Sequence, residues 1–144
     1  MPQENVEVVR HGLEAWQRDD FDSWLATLDS GMEWHTGLER LVEGTESFYR
    51  GHEGMRRLWH FWRTEFEDFE IEAQELRDAG DGRVVLLGRI RWRGLASGIA
   101  TESPIGMVIT VRGGKIIRSM DYLTHQEALE AVGLSKQDPH ADSP

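Results

Sequence analysis

The chain has 144 residues, a formal net charge of -10 and no cysteine. This length suits a single domain, and the lack of cysteine excludes disulfides, thiolate metal sites and a cysteine nucleophile. The negative charge opposes nucleic-acid binding, and no stretch approaches the roughly 20 apolar residues that cross a bilayer, so we expect no nucleic-acid or membrane partner. Residues 1–7 lack the pattern of a signal peptide, so we expect a cytoplasmic protein.

The beginning of the chain predicts two amphipathic helices. Apolar residues recur at helical spacing from Val6 to Trp16, behind Asn5 as the expected N-cap. Asp20 can cap a second, shorter helix, whose apolar stripe runs from Phe21 to Leu28. This helix is expected to end at the turn residues 29–31.

The next part predicts a short strand, a crossing loop and a long helix. Residues 32–36 have the composition of a strand, and the polar run 37–47 has that of a loop. After Gly51 comes the strongest helical signal, a stripe formed by Met55, Leu58, Trp59, Trp62 and Phe66. Because the stripe lies on one face, we expect the helix to pack against an apolar surface.

The second half of the chain predicts an antiparallel meander. The strand candidates are residues 69–79, 83–94, 101–112 and 115–123. Asp81-Gly82 and Gly113-Gly114 are dipeptides typical of tight hairpins. The strands that these dipeptides connect should therefore pair antiparallel.

A short helix is predicted to close the chain. Thr124 and Glu127 have the spacing of a capping box, and Gly133 is a C-terminal stop signal. This order of elements predicts an α+β fold, in which a curved antiparallel sheet wraps around about three helices. We expect one domain over residues 1–134 and a flexible tail over residues 135–144.

Three segments in combination resemble the SnoaL-like branch of the nuclear transport factor 2-like superfamily: EAWQRDDFDSWLATLDSGMEWH, YRGHEGMRRLW and VRGGKIIRSMDYLTHQEAL. The resemblance covers residues 5–134. It implies a cystatin-like cone with a mostly apolar internal pocket open at one end, and a homodimer formed through the sheet. It implies much less about activity, because the superfamily contains isomerases, hydrolases, polyketide cyclases, dehydratases and binding proteins.

Asp121 is the first candidate for catalysis. It lies in the segment SMDYL, where the resemblance to limonene epoxide hydrolase-like proteins and SnoaL-like cyclases implies a catalytic aspartate. A carboxyl group that faces an apolar pocket has a raised pKa and can act as acid or base near neutral pH. The alternative is a structural aspartate that pairs with an arginine or lies exposed at a strand end.

Arg89 is the candidate partner of Asp121. In the epoxide hydrolases that this segment resembles, an arginine precedes a second catalytic aspartate by two residues, and Arg91 stands here in place of that aspartate. A mechanism with two carboxylates is therefore not expected. Arg89 and Arg91 can instead bind an anionic or carbonyl oxygen, or they can form ion pairs on the outer face of the sheet.

His35 is the candidate second acid or base. It lies near the position where ketosteroid isomerase-like proteins carry their general base, and an ordinary histidine pKa of about 6.5 suits proton transfer. Glu33 shares its face of the strand, since residues two apart point the same way. A structural histidine is the alternative.

A flat apolar ligand would contact aromatic and sulfur-containing side chains. Tyr49, Trp59, Trp62 and Met107 are the candidates for this contact, and core packing is the alternative for each of them. His52 and His60 do not have the spacing of a metal motif, and no phosphate-binding glycine loop occurs. We expect no metal and no cofactor.

These residues leave three functions open. The leading hypothesis is a cofactor-free acid/base enzyme, of the cyclase, isomerase or hydrolase type, that acts on a small apolar or polycyclic molecule. In this hypothesis Asp121 moves the proton, His35 assists, and Arg89 stabilises negative charge. The alternatives are a small-molecule-binding protein without turnover and a structural dimerisation module whose pocket is filled by its own side chains.

Overall fold

A computed structural model describes residues 2–42 and 44–134 of the chain. The elements are α1 (Pro2–Gln17), α2 (Phe21–Ala26), β1 (Leu28–His35), a 3-10 turn (Leu38–Arg40), β2 (Phe48–Arg50), α3 (Gly51–Thr64), β3 (Phe66–Gly80), β4 (Arg83–Gly94), β5 (Ala100–Arg112), β6 (Lys115–Tyr122) and α4 (His125–Ala131). The predicted tail, residues 135–144, lies outside the described residues. Within the described ranges, no helix is long and apolar enough to cross a membrane.

Two of the predicted helix caps are present. The Asp20 carboxylate accepts a hydrogen bond from the Ser23 backbone N–H at 3.1 Å and caps α2. The Thr124 hydroxyl accepts one from the Glu127 backbone N–H at 3.1 Å and caps α4. Asn5 is not a cap, because α1 begins at Pro2 and includes it. Proline suits the first helical turn, where its missing N–H is not needed.

The second helix is shorter than the sequence predicts. α2 ends at Ala26, and Leu28 already belongs to β1. The reason is tertiary, because Leu28 pairs with Ile116 of β6. Pairing with a strand that follows much later in the chain overrides the local helical pattern.

The six strands form one sheet in the order β2-β1-β6-β5-β4-β3. β3 to β6 pair as the predicted antiparallel meander, and their tight turns include Asp81-Gly82 and Gly113-Gly114, all with positive φ. β1 differs in running parallel to β6. The α+β fold with a sheet wrapped around helices is confirmed, and the sheet is mixed through this one pairing.

Both faces of the sheet are used. The inner face packs against α1, α2 and α3 and carries the main core, to which β4 contributes Val84, Leu86 and Ile90. α4 packs on the outer face over Val85, Leu87 and Val108, so the helices are not all on one side. The inner cluster encloses the candidate site.

Candidate active site

Asp121 lies on the inner face of β6 and is only 9% exposed. Its Oδ2 accepts a hydrogen bond from Trp34 Nε1 at 2.8 Å, and its Oδ1 accepts one from Ser119 Oγ at 3.2 Å. The register explains this contact, because Trp34 pairs with Ser119 where β1 runs beside β6. The parallel pairing therefore brings an indole N–H to the carboxyl group.

The surroundings of Asp121 suit it to proton transfer near neutral pH. Burial raises the pKa of the Asp121 carboxyl to about 7, while the hydrogen bonds from Trp34 and Ser119 lower it. The negative charge of Glu39 raises this pKa further. At a pKa of about 7, both the acid and its conjugate base are populated at neutral pH.

Two cavities lie between the helices and the sheet. The smaller has a volume of 30 Å³ and is lined by Asp121, Thr36 and otherwise apolar side chains. The larger has a volume of 50 Å³ and is lined by Ser119 together with apolar residues of α1, α2 and the sheet. Trp16, Trp34 and Met107 are among the side chains that line both. Among the described lining residues, Asp121 is the only ionisable one.

Two residues of the segment between β1 and β2, Thr36 and Leu38, form part of the wall of the cavity beside Asp121. Leu38 of the 3-10 turn lines this cavity together with Asp121. The turn lies close to β6, since a Cβ added to Gly37 would approach the Asp121 backbone oxygen to 3.1 Å. Thr36 Oγ donates a hydrogen bond to the Glu46 backbone oxygen at 2.7 Å and ties the two ends of the segment together. Ligand pockets typically measure about 300–1,000 Å³, so an organic ligand must displace some of these side chains.

Arg89 and Arg91 do not reach Asp121. Side chains alternate along β4, and Ile90 and Trp92 belong to the inner core, so the two arginines lie on the outer face. Arg89 pairs there with Glu102, and Arg91 pairs with Glu70 at 2.6 Å. The expectation that Arg89 stabilises charge beside Asp121 is corrected, and the alternative of surface ion pairs is the observed one.

His35 and Glu33 also lie on the outer face. His35 is the register partner of Met120, the neighbour of Asp121, and therefore points away from the cavity. Its Nε2 is 3.9 Å from Glu33 Oε1, and its ring centroid is 4.7 Å from that of Phe48. Neither residue lines a cavity with Asp121. The predicted role of His35 as a second acid or base at this site is corrected.

The four aromatic and sulfur-containing side chains that were predicted to contact a ligand divide into two pairs. Trp62 and Met107 line the cavity with Asp121. Tyr49 is buried without lining either cavity, and its hydroxyl accepts a hydrogen bond from the Glu46 backbone N–H at 3.2 Å. Trp59 is half-buried between α3 and the first two helices, where its ring contacts Trp16 and Trp24 and the Arg63 guanidinium lies 3.4 Å from its ring centroid. Core and surface packing therefore account for Tyr49 and Trp59.

Trp34 and Ser119 are functional candidates that sequence reasoning missed. Ser119 carried a usable signal, because it lies two residues before Asp121 and shares its face of the strand. Trp34 had no comparable signal in the sequence, since its contact with Asp121 depends on the pairing of β1 with β6.

Replacement of Trp34 by Phe is expected to raise the pKa of Asp121. The Trp34 N–H stabilises the ionised carboxylate, and the substitution removes this hydrogen bond. Carboxyl 13C chemical shifts followed across a pH titration would measure the change. Trp59→Phe is the matched control, since Trp59 lines neither cavity and should leave this pKa unchanged. A lower or unchanged pKa in Trp34→Phe would contradict the assigned hydrogen bond.

Comparison with known proteins adds a family and a set of similar structures. The SnoaL-like domain family matches residues 9–119. A protein of unknown function from Burkholderia pseudomallei K96243, with the nuclear transport factor 2-like fold, is 21% identical with a TM-score of 0.75, over 90% of this chain and 98% of that one. TerC, crystallised with polyporic acid, is 20% identical with a TM-score of 0.73, over 90% of this chain and 98% of that one.

A third similar structure is a proposed polyketide cyclase from Silicibacter sp. TM1040. It is 16% identical with a TM-score of 0.71, over 87% of this chain and 92% of that one. No functionally curated protein matches the sequence. At these identities the structures support a common fold.

Proposed function

We propose, from the premise that this chain belongs to the SnoaL-like family, that it is a cofactor-free acid/base enzyme acting on a small apolar or polycyclic molecule. The reaction is of the cyclase, isomerase or hydrolase type, and Asp121 transfers the proton. One observation carries the proposal. The buried Asp121 carboxyl is the only ionisable group among the described residues that line the internal cavities.

The contacts of Asp121 fit this role. The ionised carboxylate can take a proton from the substrate, and the protonated carboxyl can return it. Trp34 Nε1 and Ser119 Oγ hold one oxygen each, so the carboxyl group is oriented before the substrate binds. The apolar wall keeps water away, which strengthens every electrostatic interaction at the reacting atoms.

Two similar proteins support the substrate class. TerC was crystallised with polyporic acid, and the Silicibacter protein is a proposed polyketide cyclase. We extend from them to this chain only the expectation of a cyclic, largely apolar substrate. The lining of the two cavities, which is apolar apart from Asp121, Thr36, Ser119 and the tryptophan indole N–H groups, agrees with that expectation.

A binding protein without turnover is the second candidate. The specific observation in its favour is that Arg89 and His35 lie on the outer face, which leaves Asp121 without a second acid or base in the cavity.

The small volumes of 50 Å³ and 30 Å³ favour the third candidate, a structural module whose pocket is filled by its own side chains.

Measurements of ligand binding and of turnover, made on the wild type and on Asp121→Asn, distinguish these three candidate functions. We expect polyporic acid and related polycyclic quinones to raise the melting temperature of the wild type, because a ligand of the native state stabilises it. Liquid chromatography with mass spectrometric detection, which also separates isomers of equal mass, should then show conversion by the wild type and by Asp22→Asn, an exposed carboxyl control, but none by Asp121→Asn. Binding without conversion by any variant would favour the binding protein, and no binding at all would favour the structural module.

Self-association through the outer face of the sheet is part of the proposal. The outer face near β1 and β2 carries Phe48, which is 38% exposed, beside His35. Light scattering during size-exclusion chromatography would give the mass in solution. Phe48→Glu should shift a dimer toward the monomer, while a monomeric wild type would remove this part of the proposal.

A further inference from the structure

Trp16 carries a buried hydrogen-bond donor that the fold does not use. Its side chain is 5% exposed and lines both internal cavities. Its Nε1 has no hydrogen-bond partner among the described residues. The neighbouring Trp34, which lines the same cavities, donates its indole N–H to Asp121. A buried donor without an acceptor destabilises the folded state, so such groups are uncommon unless they serve a ligand.

Aromatic rings and the Arg63 guanidinium pack around the ring of Trp16. Its centroid lies 5.1 Å from that of Trp24 and 5.3 Å from that of Trp59, both in edge contacts. The Arg63 guanidinium lies 4.5 Å from the Trp16 ring centroid, and its Nη2 donates a hydrogen bond to the Trp16 backbone oxygen at 2.6 Å. The ring that carries the donor is therefore packed firmly into the wall of both cavities.

The surroundings define the acceptor that would suit this donor. The positive charge of Arg63 beside the ring favours an acceptor atom that carries partial negative charge. A full carboxylate fits poorly, because no cationic side chain is among the described lining residues and Asp121 lines the smaller cavity. The remaining walls are mostly apolar, so the rest of the ligand must be apolar too. A carbonyl oxygen on an apolar ring satisfies all three conditions.

We propose that Trp16 Nε1–H is the hydrogen-bond donor to the carbonyl oxygen of a cyclic ketone or quinone bound between Trp16 and Asp121. Both side chains line the smaller cavity, so a ligand there meets the donor and the carboxyl group together. This assignment deepens the proposed function by naming its substrate class. It makes Trp16 a substrate-binding residue that sets specificity for an oxygen-bearing ring.

The test compares 1-indanone with indane, two small bicyclic probes that differ in one carbonyl oxygen. Both exceed the present cavities, so the cost of displacing side chains is common to them and cancels in the comparison. In the full chain, Trp16→Phe is expected to weaken 1-indanone binding on the order of tenfold, the effect of one lost hydrogen bond in a buried site. Indane binding should change by less than about twofold, because the phenyl ring keeps most of the apolar contact. Trp92→Phe, at a buried tryptophan that lines neither internal cavity, is the control and should leave both affinities unchanged.

Indole 15N–1H spectra give an independent readout. The Trp16 N–H resonance should move downfield with 1-indanone and not with indane. The proposal is overturned if Trp16→Phe weakens both probes equally, if it weakens neither, or if wild-type protein binds neither. The function of Asp121 is judged separately by turnover, since retained turnover in Asp121→Asn would remove the proposed catalytic role of Asp121 and leave the binding role of Trp16 intact.

Discussion

Asp121→Asn should stabilise the protein at pH 8 by roughly 4 kcal/mol while abolishing turnover. The folded-state pKa of Asp121 is about 7, against an ordinary value of 3.8. Between these two values the folded protein holds the proton more tightly than the unfolded chain does. The stability associated with this group is therefore fully present below pH 3.8 and is lost as pH rises through about 7. Asn does not ionise and avoids that loss.

Urea unfolding of both proteins at pH 5 and pH 8.5 would measure the effect. The free-energy difference between Asp121→Asn and wild type should grow across this interval and level off at its upper end. The Asn side-chain oxygen can still accept the Trp34 N–H, so packing is retained. Asp22→Asn, at an exposed carboxyl, should show no comparable trend. Equal stability of Asp121→Asn and wild type at both pH values would mean that the carboxyl is not buried as described.

Gly88→Ala is expected to destabilise the protein by roughly 3 kcal/mol or to prevent folding. An added Cβ at this buried position of β4 would lie 2.0 Å from the Glu72 backbone oxygen and 3.2 Å from the Ala73 Cα. These are backbone atoms of β3, so the two strands would have to separate. The Gly88 carbonyl oxygen also lies 2.8 Å from His125 Nε2, which ties this point to α4.

The matched control for Gly88→Ala is Gly31→Ala. A Cβ at Gly31 would meet only the Asp29 carboxylate, at 3.3 Å, and this flexible side chain can move away. Its effect on the free energy of unfolding should stay within roughly 0.5 kcal/mol. Urea denaturation of both variants gives the comparison, and a Gly88→Ala protein as stable as Gly31→Ala would show that β3 and β4 are not packed this closely.

Local features of the fold were predictable from the sequence. The cap of α2 at Asp20, the buried stripe of α3 and the turns at Asp81-Gly82 and Gly113-Gly114 depend on residues close together in the chain. The positions of these elements therefore follow from short-range hydrogen bonding and side-chain periodicity.

The faces of the strands were not predictable in the same way. Alternation tells which residues share a face, but it does not tell which face the core will cover. This is why Arg89 and His35 could be grouped correctly with their neighbours on each strand and still be assigned to the wrong side. α4 adds to the ambiguity, because it makes the outer face apolar over Val85 and Leu87.

The sequence by itself determined the α+β class, the caps of α2 and α4, the two hairpin turns, and Asp121 as a carboxyl group in a strand that borders a pocket. Tertiary structure decided what surrounds that carboxyl. The parallel pairing of β1 with β6 brings the Trp34 N–H to it, and the packing of α1 against the sheet leaves the Trp16 N–H buried without a partner among the described residues. Contacts between residues so far apart in the chain depend on which surfaces are buried together, and no local pattern of residues records that choice.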